Sequence, residues 1–265
     1  MPPIPPIDFS RYPVADEDAI APLIADWRAR LDRDQYCSLP GFFTEKAVTE
    51  AAREAAALRA QANPARSLRN CYLQRQGDPT LPDDHPRNIL MPASYRMIAA
   101  DLLPETSHLK TLYQWEPFQR MVADIVGADR LYPNEDKLQP VNVICYGEGD
   151  QSAWHFDSTN AFTMTLMLQA AEAGGNFEMA PETRIGTGDE NIPYMTEVLN
   201  RTSDRVISVG RAPGELTIFR GCNALHRVST IEGGQDRLMA VFVYEDMPGV
   251  TGDPEVNMTV YGRMG

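Results

Sequence analysis

Two of the four histidines stand where metal chemistry can be built. His155 and Asp157 are two apart in SAWHFDS, so in an extended segment both side chains leave the same face and converge on one point. His226 lies far downstream, just after GELTIFRG, whose β-branched and aromatic residues read as a strand. Two imidazoles and one carboxylate on a β scaffold match the 2-His-1-carboxylate facial triad, which leaves positions open on a non-haem Fe(II). An open shell can bind a co-substrate and dioxygen, whereas a shell closed by four protein ligands holds structure, as zinc does. A bare His-x-Asp also arises as a solvated surface pair, so its companions matter. Arg237 opens the apolar run RLMAVFVYE, where packing has no use for a charge. A guanidinium there can make a bidentate bond to a small dicarboxylate on the metal, or can simply flank a strand in solvent.

Other candidates follow from strand parity. Asn142 and Tyr146 share a face of PVNVICYG, and Thr163 and Thr165 share a face of AFTMTLMLQ. Each pair can point at a co-substrate inside a barrel, and each is equally readable as ordinary strand residues. Arg66 and Arg69 in ARSLRNCY are candidate anchors for a substrate carboxylate, and Arg220 and Asn223 lie close enough in sequence to His226 to line its pocket. Trp154 points opposite to His155 and belongs to the core. His85, in the proline-bracketed PDDHPR, reads as a loop residue, and His108 begins no ligand spacing.

The elements that must position these residues divide the chain into two textures. The first dozen residues carry four prolines before Arg11 and read as an extended arm. Residues 16–33 place Ile20, Ile24, Trp27 and Leu31 on one stripe, predicting an amphipathic helix. QYCSLPGFF reads as a short strand and turn. Thr44 caps a long alanine-rich helix that ends at Asn63-Pro64, and another helix is expected over 115–127, with Pro117 in its first turn and Gly127 at its close. From Leu138 onward the segments PVNVICYG, AFTMTLMLQ, RVISVG, GELTIFRG and RLMAVFVYE are short and rich in β-branched and aromatic residues, with a helical insert near 190–202. No repeat and no long polar linker interrupts the chain, which predicts a single domain over 1–265. Residues 1–135 supply helical support and a first strand, and residues 136–263 build the β core with the metal site.

Composition excludes several classes. The 265 residues are 43% hydrophobic and 23% charged, enough to bury a sizeable core. A net charge of −13 repels a phosphate backbone on average, so nucleic acid is a poor partner and a small molecule a better one. No apolar run is long enough for a membrane span and MPPIPPIDFS lacks secretory-signal features, so a cytoplasmic protein is expected. Cys37, Cys71, Cys145 and Cys222 are widely separated and read as ordinary buried thiols.

The run WHFDSTNAFTMTLMLQAAEAGGNFEMAP, with GELTIFRGCNALHRVSTIEGGQDRLMAVFVYEDMPG and the final YGR, resembles the Fe(II)/2-oxoglutarate-dependent oxygenases. The likeness is strongest to the bacterial branch that holds amino-acid hydroxylases and free-lysine halogenases. It implies a mainly β fold with α elements, a double-stranded β-helix of the jelly-roll, cupin-like kind flanked by N-terminal helices. It also implies that His155, Asp157 and His226 bind Fe(II), that Arg237 holds the distal carboxylate of 2-oxoglutarate, and that dioxygen is the other co-substrate. The halogenases of that branch carry a small residue in place of the carboxylate, leaving room for chloride. Asp157 therefore points to a dioxygenase that hydroxylates an unactivated C–H bond of a small, amino-acid-like molecule, releasing succinate and carbon dioxide. Desaturation or cyclisation, a carrier-bound amino acid or peptide as target, and a structural zinc barrel without turnover are the alternatives.

Overall fold

The computed structural model describes residues 4–157, 161–185 and 189–264; the first three residues of the proline-rich arm lie outside these ranges. The rest of the arm is tied down by Ile7, which bridges to Phe43 and is buried with Tyr12 and Val14. Helix α1 (Glu17–Asp34) starts where Asp16 accepts the Ala19 amide at 3.0 Å, and it buries Ile20, Trp27 and Leu31. After strand β1 (Tyr36–Leu39), Thr44 caps α2 (Glu45–Leu58). Strands β2 (Asn63–Arg69) and β3 (Met91–Ile98) follow, then α3 (His108–Tyr113) and α4 (Glu116–Val126), which Gly127 ends at φ 79°. That left-handed turn is what a glycine adopts without strain.

The remaining chain is built of β4 (Val141–Tyr146), β5 (Thr163–Gln169), β6 (Phe177–Ala180), α5 (Ile192–Leu199), β7 (Ile207–Val209) and β8 (Leu216–Phe219). It closes with β9 (Leu225–Val228), β10 (Arg237–Phe242) and α6 (Pro254–Tyr261). Seven strands form one antiparallel sheet in the order β1-β8-β5-β10-β4-β3-β2, and three form a second in the order β7-β6-β9. This is the double-stranded β-helix expected from the sequence.

Period-two alternation assigns the faces. Val141, Val143 and Cys145 of β4, Met164, Leu166 and Leu168 of β5, and Leu238, Ala240 and Phe242 of β10 join the main core beneath α1 to α4. The alternate residues, including Asn142, Tyr146, Thr163, Thr165 and Arg237, turn to the opposite side, where the second sheet lies. Contact between the sheets is carried by Phe177, Met179 and Val209 from one and Phe219 from the other. The outer face of the second sheet is sealed by Tyr194, Met195 and Val198 of α5 on Trp154, Phe156 and Leu225.

One expectation is corrected here. Residues 1–135 supply helices α1 to α4 as expected but three strands of the large sheet rather than one. Strand β2 pairs only with β3 and lies at the sheet edge, where Pro64 removes no ladder bond that the fold needs. Its alternately half-buried and exposed residues leave little of the β-branched texture that marks the central strands.

Among the described residues, no helix is long and apolar enough to cross a membrane. The cysteines are unpaired thiols, and burial pushes Cys37, Cys71 and Cys145 up to about 12, which keeps them protonated and unreactive. Cys222 is half-buried.

The helix layer is held to the sheet through Phe118 of α4, fully buried against Phe42, Phe242 and Tyr244 at ring-centroid distances of 5.7, 6.1 and 6.4 Å. Phe118→Ala is expected to lower unfolding free energy by about 3–5 kcal/mol through lost burial and a residual cavity, read from urea denaturation midpoints.

Candidate metal centre

His226 lies on β9 with its side chain turned to the inside of the sandwich, since its neighbours Leu225 and Arg227 face out. The segment carrying His155 adds to the free edge of β9. The His155 amide donates to the His226 carbonyl at 3.0 Å, and the His226 amide donates back at 3.1 Å. Trp154 and Phe156 go into the outer cluster, so His155 and Asp157 face inward beside His226. One ligand atom from each of His155, Asp157 and His226 falls within 4.8 Å of the others. An Asp157 carboxylate oxygen lies 3.6 Å from His155 Nε2 and 3.4 Å from His226 Nε2.

The surroundings aim these groups. His155 Nδ1 is 2.8 Å from the Ala153 carbonyl and His226 Nδ1 is 3.0 Å from that of Ala224. A proton on each Nδ1 satisfies those carbonyls and leaves both Nε2 lone pairs for the shared point. Burial, then the neighbouring His226 ring, lowers His155 to about 4, so it is neutral at physiological pH as a ligand must be. Burial pushes the Asp157 carboxyl up, but the imidazoles of His226 and His155 and the hydrogen bonds it accepts outweigh that and hold it below the usual carboxylate range. Two nitrogens and one oxygen of this kind fit a divalent transition metal. Among the described residues, no fourth His, Cys, Asp or Glu joins the group, so the set matches an open site rather than a sealed structural one.

Arg237 is 2% exposed, the register partner of Tyr146, with its guanidinium carbon 5.6 Å from the Tyr146 ring centre. Its Nε and Nη2 are closed off from solvent and have no partner among the described residues. Burial lowers Arg237 to about 10, so it remains a cation at neutral pH. It borders a cavity of about 320 Å³ shared with Met167, Gly175, Phe177 and Arg211. Phe177 and Phe219 also flank the His226 ring, at 5.7 and 5.0 Å, so this cavity and the metal centre have a wall in common.

The other sequence candidates divide between residues that brace the site and residues turned away from it. Thr163, expected to face a co-substrate, donates its hydroxyl to Asp157 Oδ2. Thr165 accepts a hydrogen bond from Arg211 Nη1 at 3.1 Å. Asn142 has both ends of its amide engaged, donating to the Gln139 carbonyl at 2.7 Å and accepting from the Tyr261 hydroxyl at 2.8 Å. Arg66 is exposed and Arg69 half-buried; they have opposite parity on β2, and Arg69 donates to the Leu73 carbonyl at 3.1 Å, so they do not converge on one carboxylate. Arg220 turns away from the site toward Asp32 at 3.4 Å and the Val126 carbonyl at 3.5 Å. Asn223 braces the Arg184 carbonyl at 3.4 Å and accepts from the Cys222 thiol. His85 lies in a loop, and His108 Nε2 pairs with Glu50 at 2.7 Å.

Two residues at the site were not among the sequence candidates. Arg211 sits in a Gly-Arg-Ala-Pro turn that carries no local signal of burial. Gly221 packs so tightly on the carboxylate that an added Cβ would lie 2.0 Å from Asp157 Oδ2 and 2.7 Å from Thr163 Oγ1. Gly221→Ala is therefore expected to displace Asp157 and abolish metal binding while leaving the circular dichroism spectrum unchanged. Thr163→Val should weaken metal binding by about 10–100-fold, as loss of an orienting hydrogen bond does; a metal titration of both variants is the check.

A family model for Halogenase D matches residues 21–254. No curated protein matches the chain. Among solved structures the chain is similar to an oxidoreductase of the 2OG-Fe(II) oxygenase family from Burkholderia pseudomallei, with 18% identity, 86% of this chain and 92% of that chain covered, and a TM-score of 0.53. It is similar also to the non-heme alpha ketoglutarate dependent epimerase SnoN from nogalamycin biosynthesis, at 19% identity, 88% and 93% coverage and a TM-score of 0.57. A Pseudomonas putida prolyl-4-hydroxylase matches at 13% identity, 84% and 98% coverage and a TM-score of 0.51. At these identities the likeness establishes the shared fold. The family match spans most of the chain, inner strands and ligand positions included, and on that ground the chain belongs to the Halogenase D family.

Proposed function

We propose that this chain is an Fe(II)/2-oxoglutarate-dependent dioxygenase that hydroxylates an unactivated C–H bond of a small, amino-acid-like substrate. The observation that carries the reading is an open set of two imidazoles and one carboxylate that shares a wall with a cavity bordered by the Arg237 cation, whose Nε and Nη2 have no partner among the described residues. His155, Asp157 and His226 would hold the ion, and Arg237 would take the distal carboxylate of 2-oxoglutarate in a bidentate grip. Ferrous iron, when bound, supplies the oxidising power by coupling dioxygen reduction to decarboxylation of the 2-oxo acid, which leaves as succinate and carbon dioxide. The chain supplies position and a dry site. Phe177 and Phe219 beside His226 present apolar surface where water would otherwise compete.

The family name raises halogenation as the competing reaction, and Asp157 favours hydroxylation. A halide needs the position that this carboxylate fills. Asp157 is no loose side chain: its Oδ2 accepts from Thr163, and only a glycine at 221 leaves it room. The amino-acid-like substrate follows from the resemblance of the β half to amino-acid hydroxylases.

A succinate-release screen across free and carrier-tethered amino acids, with ferrous iron, 2-oxoglutarate, air and chloride present, tests the reading. The expected product of any hit gains the mass of one oxygen; a chlorinated product overturns the assignment. Asp157→Ala should lose more than the ~10–100-fold typical of changes outside the ligand shell, both in metal affinity and in succinate release.

A further inference from the structure

Arg211 follows β7 and reaches back across the inner face of the large sheet. Its guanidinium stacks on Phe177, 3.6 Å from the ring centre, with Phe219 at 5.3 Å. Nη1 donates to Thr165 Oγ1 at 3.1 Å, which fixes the plane of the fork. The other edge is the unusual one: Nε and Nη2 are closed off from solvent and bonded to nothing among the described residues. Arg237, on the border of the same cavity, has its Nε and Nη2 in the same condition.

Two buried guanidiniums of one sign, each with unsatisfied donors, are costly unless an anion completes them. Among the described residues, no carboxylate forms a salt bridge with either. Glu172, on the same cavity, accepts the Gly234 amide at 3.1 Å, and Glu215 accepts the Ala212 amide at 3.2 Å. Burial, and then the nearby Arg237 charge, push Arg211 well below its ordinary value, and the attraction of Glu215 only partly offsets them. Beside Arg237 the wall is Gly175, at φ 62°, where a Cβ would lie 3.1 Å from Arg237 Cδ and 2.7 Å from Ile231 Cδ1. The cavity is thus kept open at its cationic end.

We propose that Arg211 is a second carboxylate-binding residue of the co-substrate cavity, closing with Arg237 on the distal carboxylate of the 2-oxo acid and so selecting a dicarboxylate over a monocarboxylate. This deepens the 2-oxoglutarate reading above and rests on it. Arg237 enters from β10 and Arg211 from the turn after β7, so the two forks come from different sheets. The carboxylate then links the halves of the sandwich.

The test is calorimetric titration of the Fe(II)-loaded protein, kept anaerobic so that nothing turns over, with 2-oxoglutarate and with 2-oxopentanoate, which has the same chain length and no distal carboxylate. Arg211→Gln is expected to weaken 2-oxoglutarate binding by about ten-fold or more and to leave 2-oxopentanoate within about two-fold of wild type. The ligand-free variant should unfold at or above the wild-type temperature, because an unpaired buried charge has been removed. Unchanged 2-oxoglutarate affinity, or equal loss for both acids, overturns the proposal. A fall in Tm with unchanged affinity also overturns it and assigns Arg211 a packing role. Arg211→Lys, which keeps the charge and loses the fork, is the second variant should the first not fold; it should bind 2-oxoglutarate several-fold more weakly, and wild-type affinity in it counts against the grip. If Arg211→Gln has no effect while Arg237→Gln weakens 2-oxoglutarate binding, only the role of Arg211 fails. If the wild-type protein does not bind 2-oxoglutarate at all, the oxygenase reading fails with it.

Discussion

Two backbone hydrogen bonds between His155 and His226, at 3.0 and 3.1 Å, set the geometry from which the site follows. They join segments distant in sequence and place two imidazoles side by side, ring centres 4.3 Å apart. Register is protected by what lies on the other face. Trp154, Phe156 and Leu225 are buried beneath α5, so a slip of one residue would put His155 and Asp157 into an apolar cluster and Phe156 into the metal centre. Packing on the outside of the sheet thus enforces chemistry on the inside.

The interior between the sheets is unusual for a protein core because it is cationic at one end and carries a candidate metal site at the other. Elsewhere the apolar clusters follow the ordinary rule that charge stays outside. Here Arg211 and Arg237 are withdrawn from solvent with donors unspent, while the nearby threonines are already committed, Thr163 to Asp157 and Thr165 to Arg211. Such an arrangement is less stable empty than filled, and the free energy withheld from folding becomes available for binding an anion. The acidic surface implied by a net charge of −13 does not contradict this, since the far field and a recessed cavity are separate electrostatic environments.

Family membership and shared fold leave the reaction open, because a β-helix carries many chemistries on one scaffold. What distinguishes outcomes here is a small piece of local packing. Gly221 and Thr163 leave the Asp157 carboxylate one place to sit, next to both imidazoles. A family named for halogenation therefore includes a chain whose candidate metal site has a built-in carboxylate.

The sequence alone determined the two textures of the chain, the helix caps at Thr44 and Gly127, the central strands and the three converging residues of the candidate metal site. Each of these is encoded within a few residues, as a cap, a breaker or a two-residue alternation. The edge strand β2 and its neighbour β3 were not legible; an edge strand needs little apolar texture and tolerates proline, and β3 is in register with it along the whole length of β2. Tertiary structure alone decided which polar residues serve the site. Asn142 and Thr165 have the right parity yet are spent on Tyr261 and Arg211, Arg220 is adjacent in sequence to Gly221 yet turns toward α1, and Arg211 has no sequence signal yet is closed into the cavity. Parity gives the face of a strand, but which neighbour lies across that face depends on how two sheets are stacked, and that information is spread over the whole core.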